Sequence, residues 1–305
     1  MGTPAFSVPA LEAVASRCDV TLVVTQPDRP RGRGRRMAAS EVAEAAIRLG
    51  LAVEKPADMK TTEVRDRLAA ERADLFAVVA FGAILTPEVL ALPRLGAVNL
   101  HGSLLPDYRG ASPVQRALWD GREETGVSTI VMDVGIDTGD VLAMQREPIR
   151  DDDDAASLAA RLAALGGPLL AESLIAMAEG RESRTPQDRA AGSYAKKLKK
   201  TDGLVDWTLP ARTVWNRARA VTPWPGATAG FRGGRVLITS ARPVEGRGEV
   251  GEVLAVSPEG VQVACGDAAL MLHRLKPEGR AETDAAEWAR GARLQPGERF
   301  TCWKE

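Results

Sequence analysis

His101 stands two positions after Asn99 at the end of a short β-prone run, 97–101. Alternation along a strand turns both side chains to one face. The segment after them, 102–110, begins and ends in glycine and contains Pro106, as a site-forming loop would. A third polar group, Asp137, lies in VGIDTGD (134–140), where glycines bracket an acid on a tight turn. No serine or cysteine nucleophile accompanies these residues in a triad pattern, which argues against an acyl-enzyme hydrolase. Direct acyl transfer from an amide-type donor to an amine fits better. Asn99 would donate to the tetrahedral oxyanion. His101 would stabilise the same charge as imidazolium and hand a proton to the departing nitrogen. Asp137 would hold His101 charged and oriented. Each residue alone also has an ordinary reading: asparagine in a turn, histidine at a strand end, aspartate as a loop cap. The other histidine, His273, falls in a β-prone run far downstream and reads as structural.

Such a set needs a scaffold that brings strand ends together. The first two-thirds of the chain alternates β-rich runs with helical stretches, the pattern of a parallel-rich sheet with crossover helices. Strands are expected over 20–25, 75–80, 97–101, 127–133 and 140–149, and helices over 39–49, 61–72, 113–119 and 157–180. DDDD at 151–154 suits a helix N-terminus. Asn99 and His101 then lie outside a carboxyl strand end, where open α/β sheets bind ligands. The stretch 181–202 is polar and aperiodic, which predicts an interdomain linker. Beyond it come a helix over 211–220 and short strands over 227–231, 235–241, 251–256, 260–265 and 269–275, the pattern of a small OB-like β-barrel. The expected division is therefore a Rossmann-like α/β domain over 1–180, a linker over 181–202 and a barrel domain over 203–305.

At 305 residues the chain is long enough for two cores. The net charge of −1 does not announce a nucleic-acid partner, but local charge does. QPDRPRGRGRRM (26–37) sets Arg29, Arg31, Arg33, Arg35 and Arg36 against the single acid Asp28, and SYAKKLKK supplies Lys196, Lys197, Lys199 and Lys200. Such clusters suit phosphate contacts. No window approaches the roughly 20 apolar residues of a bilayer span, and the start lacks a signal peptide, so a cytoplasmic protein is expected. Cys18, Cys265 and Cys302 lie far apart, which points to a reducing compartment and buried thiols. No His, Asp or Glu spacing suits a metal.

NLHGSLLPDYRGASPVQ (99–115) followed by MDVGIDTGDVL (132–142) resembles the signature of the 10-formyltetrahydrofolate-dependent formyltransferases. In that family an Asn, a His and an Asp form the catalytic set, and they match Asn99, His101 and Asp137 without substitution. The resemblance implies 10-formyltetrahydrofolate as co-substrate. Its pocket would be formed by Phe81, Gly82, Ile84 and Leu85, by Ser103, Leu104, Leu105 and Pro106, and by Val134, Gly135, Ile136, Thr138, Gly139 and Asp140. GTPAFSVPAL at the start, the arginine loop and RAVTPWPGATA extend the resemblance along nearly the whole chain, toward the branch that acts on initiator methionyl-tRNA. In that branch the basic loop reaches the acceptor stem and the second domain adds phosphate contacts, and a monomer is expected. Other branches use small amines on nucleotides, and a hydrolytic relative would use water. Neither would need the arginine loop.

One departure stands out. Family members carry a short hydrophobic strand before the Gly-Thr-Pro loop, whereas here Met1 directly precedes that loop. A sheet without that strand leaves backbone groups unpaired. The expectation is that the strand lies upstream of Met1, and that a version extended there is more soluble or more active.

Overall fold

The computed structural model describes residues 1–31 and 36–303. It divides into two units. The first comprises Met1–Pro113, Glu124–Pro148 and Ala159–Ala195, and the second Val114–Glu123, Ile149–Leu158 and Lys196–Glu305. The stretch expected to be a linker is thus divided, with its residues up to Ala195 in the first unit.

In chain order the first part contains α1 (Val8–Ala15), β1 (Val23–Val24), β2 (Arg29–Arg31), β3 (Arg36–Ala38), α2 (Glu41–Arg48), β4 (Val53–Glu54), α3 (Thr62–Ala70), β5 (Phe76–Val79), α4 (Pro87–Leu90), β6 (Ala97–His101), β7 (Arg109–Gly110), α5 (Pro113–Trp119), β8 (Glu124–Val131), β9 (Val141–Pro148), α6 (Ala155–Ala178) and β10 (Tyr194–Ala195). Ser40 and Thr61 cap α2 and α3 by accepting from the third residue of each helix. Asp154 caps α6 by accepting from the backbone of Ala156 and Ser157, as the acidic run predicts. Strand β5 runs parallel to β6, and β6 pairs antiparallel with β8, which pairs antiparallel with β9. Strand β1 runs parallel to β4.

Helix α6 is apolar and long enough to cross a membrane, contrary to the window estimate. Yet its Leu162, Ala163, Leu170, Ala171 and Leu174 are buried. A Cβ at Gly166 would come within 2.6 Å of the Leu100 side chain on β6, so the glycine permits close helix-to-sheet packing. Thr129 on β8 and Ser173 on α6 share a buried hydrogen bond of 2.8 Å. The helix therefore backs the strand that carries Asn99 and His101.

The run 20–25 forms a strand only at Val23–Val24, because β4 supports one edge while the other has a short partner. Gly2 donates to Val24 O, and Val79 donates to Met1 O. Met1 and Gly2 thus stand between β1 and β5. Beside them lies a cavity of about 580 Å³, lined by Ala10, Val14, Leu22, Leu68, Phe76 and Leu174 among others. The Met1 amine donates to Ala77 O at 2.6 Å, and burial pulls its pKa down to about 5.

The second unit contains α7 (Ala211–Ala220), β11 (Ala227–Phe231), β12 (Gly234–Val244), β13 (Val253–Ser257), β14 (Gly260–Ala264), β15 (Ala269–Pro277), β16 (Thr283–Asp284), α8 (Ala285–Ala292) and β17 (Phe300–Cys302). Its seven strands form one antiparallel sheet, ordered β13-β14-β15-β12-β11-β17 with β16 on β15. The sheet curls, and an isolated bridge between Glu252 and Arg299 joins its ends. Trp207, Phe231, Trp288 and Phe300 meet in its core at ring separations of 4.8–6.0 Å. Helix α8 was not foreseen: it spans only eight residues, AAEWARGA, and follows a run of strands. Burial, aided by Asp267, pushes the Cys265 thiol up to about 12, and Cys18 is half-buried. Cys302 corrects the expectation of buried thiols: it is exposed on β17, where only Phe300 reaches the core.

In protein that begins at Met1, the buried amine makes stability depend on pH. Its folded pKa lies below the unfolded value near 8, so the unfolded chain binds the extra proton between about pH 5 and pH 8, and stability rises with pH across that window. The contribution is roughly 4 kcal/mol. Placing four extended apolar residues ahead of Met1 moves the amine out of the fold and supplies atoms to the cavity. Denaturant melts at pH 5.5 and pH 8 are expected to show the longer version more stable at both, with the larger gain at pH 5.5. An equal gain at both would assign the pH dependence to other groups.

Candidate active site

The site is built at the ends of β6 and β8 and in the turn joining β8 to β9. Strand β6 delivers Asn99 half-buried and His101 buried, with the backbone in register with β5 and β8. The turn carries Asp137 at φ +55°, in the left-handed region. A side chain there costs about 1–2 kcal/mol, so neighbouring bonds must hold it. Within the turn Asp133 accepts from Gly135 N at 2.9 Å and from Thr138 Oγ1 at 2.7 Å. A Cβ at Gly139 would fall 1.7 Å from Val131 O, so only glycine lets the turn re-enter β9.

The structure brings the three sequence-identified residues together. The Asp137 carboxylate accepts from Asn99 Nδ2 at 3.2 Å and from Gly110 N at 2.8 Å. His101 Nδ1 lies 3.5 Å from Asp137 Oδ2. The other ring nitrogen, Nε2, is 2.9 Å from Tyr108 O. A carbonyl oxygen only accepts, so Nε2 carries a proton. Both ring nitrogens thus face acceptor oxygens. Tyr108 itself has φ +59°, which turns its carbonyl toward the ring. The loop between β6 and β7 is pinned by Ser128, which donates to Ser103 O and accepts from Leu105 N, and by Ser103 Oγ, which donates to Asp107 O.

The residues that the resemblance assigns to the folate pocket separate into two kinds. Phe81 and Leu85 are buried in a cluster with Phe76, Val78 and Val89, and Leu105 packs with Ile130 and Val141. Ser103 is fully buried, whereas Leu104, Pro106, Thr138 and Asp140 are half-buried. Gly82 and Gly135 are exposed and Gly139 is buried. Ile84, Val134 and Ile136, by contrast, are 80%, 81% and 56% exposed. Strands β5 and β6 are parallel, so the 80–85 loop leaves the same sheet edge as His101. Three large apolar side chains in solvent at that edge and in the Asp137 turn suit a flat heteroaromatic ligand such as a pteridine. Thr3 steadies the first of these loops by donating to Phe81 O at 2.8 Å.

Of the basic residues, Arg29 and Arg36 are exposed on a hairpin that pairs β2 with β3. The loop's one acid, Asp28, is paired with Lys55 at 2.6 Å. Arg33 and Arg35 lie outside the described residues, as does the side chain of Arg31. Lys196, Lys197, Lys199 and Lys200 are exposed. Their backbone is held by Arg116, which donates to Lys196 O, and by Asp202, which accepts from Lys199 N. His273 Nδ1 donates to Glu259 O at 3.0 Å on the second unit's sheet. Sequence reading missed Tyr108, Asp133, Arg109 and Gln187. The first three lie inside the recognised motifs, but Gln187 lies in a stretch whose lack of periodicity masked it.

The formyl transferase family profile matches residues 6–174, and the profile of the formyl transferase C-terminal domain matches 197–293. The methionyl-tRNA formyltransferase of Myxococcus xanthus is 44% identical over 297 residues, covering 97% of this chain and 95% of that protein. The same enzyme of Geobacter sulfurreducens is 43% identical over 302 residues, covering 98% and 95%. The chain belongs to the methionyl-tRNA formyltransferase family. Among solved structures, a sugar 3N-formyltransferase, WlaRD, aligns with TM-score 0.65 at 14% identity, covering 92% of this chain and 97% of that one. HypX of Aquifex aeolicus, solved with tetrahydrofolic acid, aligns with TM-score 0.60 at 24% identity, covering 86% of this chain and 46% of that one. These two likenesses speak to the fold.

Gly139→Ala tests the turn. The strand-to-turn backbone must shift to admit the methyl group, at a cost of about 2 kcal/mol or more. A fall in melting temperature of several degrees is expected by calorimetry. An unchanged melting temperature would show that the turn adapts freely.

Proposed function

We propose that the enzyme transfers the formyl group of 10-formyltetrahydrofolate directly to the amino group of initiator methionyl-tRNA, through a tetrahedral intermediate and without an acyl-enzyme. One observation carries the reading: Asn99, His101 and Asp137 form a single contacting set at a strand edge. Family membership supports the substrates.

The co-substrate supplies the activated formyl carbon. Ile84, Val134 and Ile136, with the backbone of the two loops, would hold its ring system. Asn99 Nδ2 has two hydrogens, one of which is given to Asp137; the other serves the oxyanion. His101 is anchored through Nε2 by the Tyr108 carbonyl, so Nδ1 is the nitrogen that faces the reacting atoms and gives its proton to the departing amine. Asp137 orients His101 and takes the proton that the amino group sheds as it attacks the formyl carbon, directly or through water.

The RNA is held electrostatically. Arg29, Arg31, Arg33, Arg35 and Arg36 take the acceptor end, and Lys196, Lys197, Lys199 and Lys200 take the backbone. The curled antiparallel unit acts as an OB-like platform for the same RNA, with the enzyme working as a cytoplasmic monomer.

Two substitutions separate chemistry from binding. Asn99→Ala is expected to lower kcat by about 10²–10³, and His101→Ala by about 10²–10⁴, while filter binding of methionyl-tRNA stays within about twofold, less than 0.5 kcal/mol. Retention of full turnover by either variant would remove that residue from the mechanism. Charge reversal at Lys196 and Lys197 is expected to weaken RNA binding and flatten its salt dependence by roughly one unit of slope per lost phosphate contact. An unaltered slope would assign the lysines to solvent.

A further inference from the structure

Gln187 lies between the two family-matched regions, 6–174 and 197–293, yet it makes two hydrogen bonds to the backbone of the Asp137 turn. Its Nε2 donates to Asp137 O at 2.9 Å and to Gly139 O at 2.7 Å. Its Oε1 accepts from Arg109 Nε at 3.1 Å and Nη2 at 2.9 Å. The amide can be oriented only one way, since guanidinium nitrogens only donate and backbone carbonyls only accept. Every hydrogen of the amide is used.

Arg109 is buried, with 4% of its surface exposed. Besides Gln187 it donates to Ala191 O at 3.2 Å and Asp188 O at 3.1 Å, and so fixes the 187–191 segment. Its backbone belongs to β7, which pairs in parallel with β10. The next residue, Gly110, gives its N–H to the Asp137 carboxylate. One short strand therefore holds Asp137 from both sides, through Gly110 to the carboxylate and through Arg109 and Gln187 to the backbone carbonyl. The bracket stands where restraint is needed, because Asp137 occupies the left-handed region, from which an unrestrained aspartate would relax.

We infer that Gln187 and Arg109 are positioning residues for formyl transfer, fixing the Asp137 turn so that its carboxylate stays against His101 and Asn99. The inference rests on the catalytic reading of Asp137. It assigns a function to a segment whose sequence reads as a linker.

The test is a double-mutant cycle with Gln187→Met, which keeps the side chain's length and removes its hydrogen bonds, and Asp137→Asn. Turnover, both KM values and thermal melts are measured for each single variant and for the pair. A displacement of the turn by about an ångström lowers kcat by on the order of 10². Q187M is expected to show that loss, with the KM for methionyl-tRNA close to the parent's and a lower but still cooperative melt. In the D137N background, Q187M is expected to change kcat little further, because its effect acts through the missing carboxylate. Arg109→Lys, which loses the two-pronged grip on Oε1, is expected to fall in the same direction and carries the test should Q187M fail to fold. Parental kcat in Q187M, or an equal fold-loss in the D137N background, would overturn the positioning role while leaving Asp137 catalytic. Parental kcat in D137N would overturn the catalytic reading itself, and this inference with it.

Discussion

A carboxylate on a left-handed residue is the constraint on which the arrangement of Asn99, His101 and Asp137 depends. Asp137 meets Asn99, His101 and the Gly110 amide at once, and no relaxed β-turn would place one side chain against all three. Asp133 folds the turn on its near side, Gly139 lets the chain rejoin β9, and Gln187 braces the backbone from outside. Each contact is modest, on the order of 1 kcal/mol. Together they offset the cost of the strained conformation and leave a charge aimed at a fixed point, the property that makes electrostatic stabilisation effective in a transition state.

His101 illustrates how the surrounding fold decides chemistry. Its ring is buried, and its Nε2 is committed to Tyr108 O, a carbonyl turned inward by another left-handed residue. The remaining nitrogen faces the carboxylate. A histidine with one nitrogen tied to the backbone has a fixed orientation, so Nδ1 is the nitrogen left for the proposed proton transfer. Helix α6 and the serine-pinned loop between β6 and β7 hold the strand end beneath this ring. Thus the apolar packing of one helix reaches the site through Leu100, whose neighbours on either side are Asn99 and His101.

Much of this was legible in the sequence where a local pattern had a local cause. The strand-end pair Asn99 and His101, the glycine-bracketed Asp137 turn, the helix over 113–119 and the acidic cap at 154 each follow from spacing and residue type. What escaped depends on long-range partners. Gln187 lies in a polar stretch with no period, and its role appears only when the chain returns 50 residues later to the turn it braces. The run 20–25 has ample β propensity, but a strand forms only where a partner runs alongside, and beyond Gly2 that partner is a cavity. Propensity proposes a strand; pairing determines its length.

The most direct test of the account is single-turnover formyl transfer from 10-formyltetrahydrofolate to purified initiator methionyl-tRNA, with elongator methionyl-tRNA and free methionine as parallel acceptors. The account predicts stoichiometric formylation of the initiator, far slower reaction with the elongator, and none with the free amino acid. Formylation of a small amine in preference to the initiator tRNA, by protein that melts cooperatively, would contradict it.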